Sequence, residues 1–509
     1  MTSGWELVAT IAACAGGIGA LARTTTRAKV HAAGLPLLLS SWAVLLLAIA
    51  PERVHDRWPI ALAAVAVGAL VLLGLGRLVT GRETWLLAAG AAVLTLRIPV
   101  PTGDDTAMLL LPLYAVLALG AASRTRVELA RLRAGIATGG RLPHRGGATR
   151  LLDVGAALLP LVAAASLAWS TDGEASAVTL GCFLVPFVIA YWLVRGWVEE
   201  GAALRPAGWA LVASTLLAAG VGVYQVLARE VWWNPKVIDA NRFRADFRTN
   251  SLYWDPNIYG RALVVGACVL VACLLIERLT RWRAALACAA LALLTVALWN
   301  TYSQSSWVAL AGALIVVAVL TLPPHPRRWV AGALVAVMLA ASPSAYRALS
   351  GSDSSGRADV VRSGIALASE RPIAGWGVGT FETAVTDRAR RRGTATPTLT
   401  ASHTTPVTVI AELGILGAAA YLVLLTSAAT AVLARWRHTS TPASAARAAG
   451  DPHATGWPIA PVIWASAVLA ALVAHSLLYA GFFEDATLWV ALALLASLPR
   501  SERPTPEPV

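Results

Sequence analysis

The chain has 509 residues, of which 57% are hydrophobic and only 14% charged, far from the roughly 25% charged of a soluble globular domain. Its net charge of +13 does not mark a nucleic-acid binder, because the arginines gather in loops between apolar runs, as the positive-inside bias of membrane proteins requires. Composition therefore excludes a water-soluble enzyme and leaves a chain whose main solvent is lipid.

Apolar runs close to the ~20 residues that cross a bilayer recur from end to end, for example over residues 106–122, 151–169, 177–194 and 206–228. About fourteen or fifteen spans are predicted, giving an all-α polytopic integral membrane protein. The first run, residues 5–22, lacks a basic leader and a convincing cleavage site and reads as a retained helix. The five cysteines (Cys14, Cys182, Cys268, Cys273, Cys288) all lie inside apolar runs, with no spacing that suggests a metal site or a disulfide framework.

Residues 1–228 form an N-terminal group of transmembrane helices interrupted by the basic loop 123–150, whose seven arginines face a single acid, Glu128. That loop is placed in the cytoplasm. Counting spans from it puts the basic turns 278–283, 323–328 and 435–457 on the same side, with the carboxyl terminus. The opposite side receives the acidic loop 170–176, the segment 229–257 that opens a region running to residue 342, and the longest connection, 343–404, ahead of the C-terminal helices and tail of residues 405–509. The two long external connections are rich in arginine where arginine is normally depleted, which invites an anionic ligand.

The first of these segments carries Arg242, Arg244 and Arg248, followed by Asp255-Pro256-Asn257 immediately before a span. Arginine's planar fork bonds phosphate through two N–H groups at once, and Asp-Pro-Asn suits a turn that starts a helix. The second begins near Arg357, is predicted to form a surface helix as far as Glu370-Arg371-Pro372, and reaches Gly375, Gly377, Gly379 and Phe381. Those glycines look like a phosphate loop, but no strand of a βαβ unit precedes them, so they are read as a tight turn at the membrane surface. The third places His403 where a loop meets an apolar run containing Glu412, Gly414 and Gly417. Of the eight histidines only His55 and His403 fall on the external side.

The order of these residues resembles the O-antigen ligase family. Arg248, Tyr253, Pro256 and Asn257 match its pattern of an arginine, an aromatic and Pro-Asn before a span. Arg357, then Pro372 with the three glycines and Phe381, then His403, Glu412, Gly414 and Gly417, match its large external loop. The resemblance covers roughly residues 229–485; Thr404 stands where the family commonly has Asn, the glycine usual after the first arginine is replaced near Ser251, and the stretch from Ser303 to Ser306 lacks an arginine often found there.

Such a resemblance implies a membrane glycosyltransferase that moves a glycan from a polyprenyl-diphosphate carrier to a lipid or glycan acceptor outside the cytoplasm, in a bacterial inner membrane, without metal or cofactor. Arg248 and Arg357, with Arg242 and Arg244 beside them, would hold the diphosphate. His403 would take or orient the acceptor's hydroxyl proton, with Glu412 and Asn257 supporting. Ligation and polymerisation share this chemistry. Other readings are a transporter or flippase of lipid-linked sugars, against which the few polar intrusions into spans (Arg97, His475) argue, and a non-catalytic scaffold of envelope synthesis. A carboxylate-based transferase would instead draw on Asp104, Asp105, Glu52 or Asp56 in short external loops.

Overall fold

In lipid every backbone N–H and C=O must find its partner within its own segment, which leaves long apolar stretches no option but helix. The computed structural model describes residues 3–102, 105–133, 147–243, 247–276, 279–322, 357–394, 404–439, 459–481 and 484–497, with single residues at 326, 329 and 332. The N-terminal helices are α1 (Ser3–Ala22), α2 (Ala28–Ala48), α3 (Glu52–His55), α4 (Trp58–Val79), α5 (Glu83–Val93), α6 (Leu111–Arg133), α7 (Gly147–Ser166), α8 (Gly173–Thr179), α9 (Val185–Glu199) and α10 (Arg205–Ala228). They are followed by α11 (Pro235–Phe243), α12 (Pro256–Ile276), α13 (Arg281–Trp299), α14 (Gln304–Thr321), α15 (Arg357–Glu370), α16 (Phe381–Arg391), α17 (Thr405–Thr439), α18 (Ile459–Ser476) and α19 (Ala486–Ser497).

Ten helices among the described residues are long and apolar enough to cross a membrane, one of them formed by α8 and α9 joined through the π-helical turn Leu180–Leu184. Four further helices, α5, α6, α18 and α19, are shorter or end in charge, and pack against α10, α4, α14 and α9 respectively. The chain is thus a helical polytopic membrane protein. One departure from helix lies where the apolar run from residue 106 suggested a span: β1 (Ile98–Thr102) and β2 (Asp105–Leu109) form an antiparallel hairpin with Ile98 opposite Leu109, and α6 starts only at Leu111. Prolines at 99 and 101 keep β1 out of a helix.

The centre of the bundle is α9 and α19. Every residue of α19 except the half-buried Val490 is buried, as is α9 from Val185 through Trp197, which fits helices that are apolar on nearly all sides. A second, smaller core belongs to the long connection: Val360 and Leu367 of α15, Trp376, and Phe381, Ala384 and Val385 of α16 close around Ala411 of α17. The long connection therefore carries two helices of its own, seated on the bundle.

Candidate functional site

At the start of α12 the Asp255 carboxylate accepts the Asn257 N–H at 2.6 Å, so the predicted turn does begin a helix. Arg248 is fixed from several directions. The Asn241 side chain brackets its backbone, accepting from the Arg248 N–H at 3.0 Å and donating to its carbonyl at 2.8 Å. Its guanidinium donates from Nε to the Thr301 carbonyl at 2.7 Å and from Nη2 to Asn257 Oδ1 at 3.1 Å.

Ser303 reaches the same Asn257 oxygen at 2.8 Å and caps α14 by accepting the Ser306 N–H, and Ser305 lies 3.1 Å from His475 Nε2. Serines thus occupy the place of the missing arginine and hold Asn257 against α14 and α18. Ser251 sits in the left-handed region at φ 52°, which is why a glycine suits that place. Here Gln225 stabilises it by accepting the Ser251 N–H at 2.8 Å.

The glycine segment is wedged into a break in α17. Gly414 has φ 59° and ψ −154°, a conformation reached essentially by glycine alone, and a Cβ there would lie 2.4 Å from the Ile373 carbonyl oxygen. The break frees the Ala411 and Glu412 carbonyls to accept from Trp376 N at 3.1 Å and Gly377 N at 2.8 Å. Past the break, Ile415 and Leu416 donate back to the Pro372 and Ile373 carbonyls at 2.8 and 3.4 Å. Gly375, at φ 69°, passes so close that a Cβ would fall 2.2 Å from the Glu412 carbonyl oxygen.

The Glu412 side chain completes the joint, accepting the N–H groups of Gly379 at 2.9 Å and Phe381 at 3.1 Å. Above it, the Arg371 guanidinium stacks 4.2 Å from the Trp376 ring, and Glu370 pairs with Arg388 and Arg392 at 2.8 and 3.1 Å. The hydrogen bond from Arg388 outweighs the cost of burial and, with the charges of Arg388 and Arg392, holds the Glu370 carboxyl below its ordinary value.

Of the residues singled out in the sequence, Arg248 and Asn257 are in direct contact, and Glu412 touches the glycine segment. Arg242 is exposed on α11, paired with Asp239 at 3.1 Å. Arg357 opens α15 through its backbone, while Arg244 and His403 lie outside the described residues. Among the described residues no three His, Cys, Asp or Glu side chains come together as metal ligands would.

Two buried charges near the start of α19 escaped the sequence reading. Arg261, one turn below Asn257, pairs with Asp485 at 2.7 Å, and Arg97, noticed only as an intrusion into a span, donates to the Glu484 carbonyl at 2.8 Å. Beside them Tyr253 meets Thr95 at 2.8 Å, its phenol pushed up to about 12 by burial. The only signal for these contacts was charge inside apolar runs, without a partner in sequence.

Residues 289–422 match the model of a family described as O-antigen ligase. The chain carries an O-antigen ligase-like domain. This stretch runs from within α13 through α14, α15, the glycine segment and α16 into α17, so the whole joint at Gly414 belongs to it, as does the Thr301 carbonyl that holds Arg248. It supports a membrane function of O-antigen ligase or polymerase type. A search of curated proteins finds no match to the chain.

Proposed function

We propose that the protein transfers a glycan from a polyprenyl-diphosphate carrier to an acceptor on the extracytoplasmic face of a bacterial inner membrane. The observation that carries this reading is Arg248, an arginine at the head of a spanning helix whose Nε is aimed by the Thr301 carbonyl of the ligase-like stretch. A fixed guanidinium needs no reorganisation as charge builds on a departing diphosphate, which is where such a group lowers a barrier. Arg357 is assigned to the same diphosphate from its place in the motif, with Arg242 and Arg244 supplying positive charge nearby.

In the transfer an acceptor oxygen bonds the sugar's anomeric carbon as the bond from that carbon to the diphosphate oxygen breaks. The acceptor's proton passes to or is oriented by His403, whose imidazole titrates near neutrality, and the bonding electrons leave with the diphosphate. Glu412 serves the geometry rather than the proton, because both its oxygens already hold main-chain N–H groups.

The test is release of polyprenyl diphosphate from a lipid-linked glycan by the purified protein in lipid, wild type against His403→Ala and Arg248→Ala. Release that requires both residues supports the reading. Release that persists in either variant overturns the role given to that residue, and no release from any of several donors overturns the reading in favour of transport or scaffolding.

A further inference from the structure

His475 stands in the last turn of α18, within an apolar helix, and is only 1% exposed. An ionisable side chain in such a place is costly and points to a function. Its Nε2 lies 3.1 Å from the Ser305 hydroxyl, and its ring packs against that of Tyr479 with centroids 5.4 Å apart. The meeting depends on the close approach of α14 and α18: a Cβ on Gly312 would come 3.2 Å from the Ala474 Cβ.

From Ser305 the contacts lead into the candidate site. The Ser305 and Ser303 hydroxyls are 3.1 Å apart, and Ser303 donates to Asn257 Oδ1 at 2.8 Å. The same oxygen accepts from Arg248 Nη2 at 3.1 Å. A guanidinium only donates, so the Asn257 atom facing Arg248 is its oxygen, and the single Ser303 hydrogen is committed to that oxygen as well. His475, Ser305, Ser303, Asn257 and Arg248 therefore form one relay of polar contacts, from α18 through α14 to the head of α12. All three serines at 303, 305 and 306 are buried, and in buried surroundings a connected network holds its members in one arrangement.

The relay supplies what Arg248 needs beyond Thr301. The Thr301 carbonyl fixes Nε at one point, and the Asn257 oxygen fixes the planar group at a second. Asn257 serves only with its carboxamide held one way round, because its NH2 would face the guanidinium donor to donor. Ser303 holds that orientation by donating to the same oxygen, and Ser305 and His475 lie behind Ser303.

We infer that, given the diphosphate role of Arg248 on which this rests, His475 is a positioning residue for that arginine. It orders Ser305 and Ser303, they set the Asn257 carboxamide, and the carboxamide sets the plane of the guanidinium. His475 lies outside the 289–422 match. Its role also gives a task to residues 303–306, where the arginine expected from the resemblance is missing.

The experiment measures release of polyprenyl diphosphate from a lipid-linked glycan by the purified full chain in lipid nanodiscs. In His475→Leu kcat should fall about tenfold, within the roughly hundredfold that a misplacement of about 1 Å can cost. KM should change little, because the aimed guanidinium acts on charge that appears only as the diphosphate departs. His475→Gln, whose terminal amide can donate or accept near the place of Nε2, should recover most of the loss. Ser305→Ala cuts the relay without touching the ring; it should act in the same direction, and it carries the test where His475→Leu does not fold. In an Arg248→Lys background His475→Leu should have little further effect, since the two losses are coupled through one network. Wild-type kcat in both His475→Leu and Ser305→Ala overturns the proposal and leaves the role of Arg248 standing. So does a loss that adds in full to that of Arg248→Lys, or one that follows unfolding temperature alone and that glutamine does not relieve. Wild-type release by Arg248→Ala overturns the positioning role and the diphosphate role together.

Discussion

At the end of the bundle where α6 and α9 finish, arginines meet carboxylates: Arg23 pairs with Glu128 at 2.9 Å, Arg124 with Glu128 and Glu200, Arg131 with Glu200 at 3.0 Å, and Arg195 with Asp153. At the other end, Arg248 is aimed by a carbonyl and an amide oxygen, and Arg97 by a carbonyl. A guanidinium bound to a carboxylate has its charge answered and serves as a strut between helices. One held through neutral oxygens has its direction set at those atoms by the backbone and by an amide. The same residue type thus braces helices against carboxylates at one end and is aimed by carbonyl and amide oxygens at the other.

The comparison breaks first on stability. Asp153→Asn removes the carboxylate charge that faces the fully buried Arg195, leaving it the pair with Glu199, and offers the Tyr191 hydroxyl a neutral amide oxygen in place of a carboxylate. It should cost about 3–5 kcal/mol, seen as a lowered unfolding temperature in detergent, while the protein that remains folded turns over normally. Arg248→Lys should do the reverse, lowering release of polyprenyl diphosphate on the order of a hundredfold with little change in unfolding temperature. An ammonium keeps the charge but cannot bridge the Thr301 carbonyl and Asn257 while facing a phosphate. If Arg248→Lys unfolds the protein and Asp153→Asn silences it, the two ends have been read the wrong way round.

A third change tests the joint between the long connection and the bundle. Gly414→Ala forces a side chain into a glycine conformation and against the Ile373 carbonyl, and should cost about 1–3 kcal/mol, with earlier proteolysis across α15 and α16 as the readout.

The smallest effect belongs to Glu370. Because its folded carboxyl lies below the ordinary value of about 4.3, its ion pairs contribute fully above that value and are lost as pH falls through the lowered one. Acidification should loosen α15 from α16 in the wild type by a few tenths of a kcal/mol at most, since the pairs are partly solvated. Glu370→Gln should show no such step in hydrogen exchange.

Much of this was legible in the sequence because its cause was local. Apolar length revealed the spans, Asp255-Pro256-Asn257 announced the start of α12, the segment from Arg357 to Glu370 was read as a surface helix, and the absence of a preceding strand turned Gly375, Gly377 and Gly379 from a nucleotide loop into a turn. The rest depends on residues far apart in the chain. The apolar run of α17 continues across Gly414 without a change of period, so its break appears only when the segment from Pro372 to Gly377 is docked there. Likewise the partner of Arg97 is a carbonyl at residue 484, and nothing near residue 97 foretells it. Short strands at 98–109 were hidden because an apolar run can serve a hairpin or a helix equally well.

The docking of the glycine segment into α17 also has a consequence for inheritance and engineering. The two pieces share main-chain hydrogen bonds on both sides of Gly414, so a slip of one residue in either would unmake the register of the other. A graft that imports the connection from a related chain must therefore bring residues 372–381 and 411–416 together. Length variation should be confined to stretches outside that pairing, so that the connection diversifies in its contents while its seam stays constant.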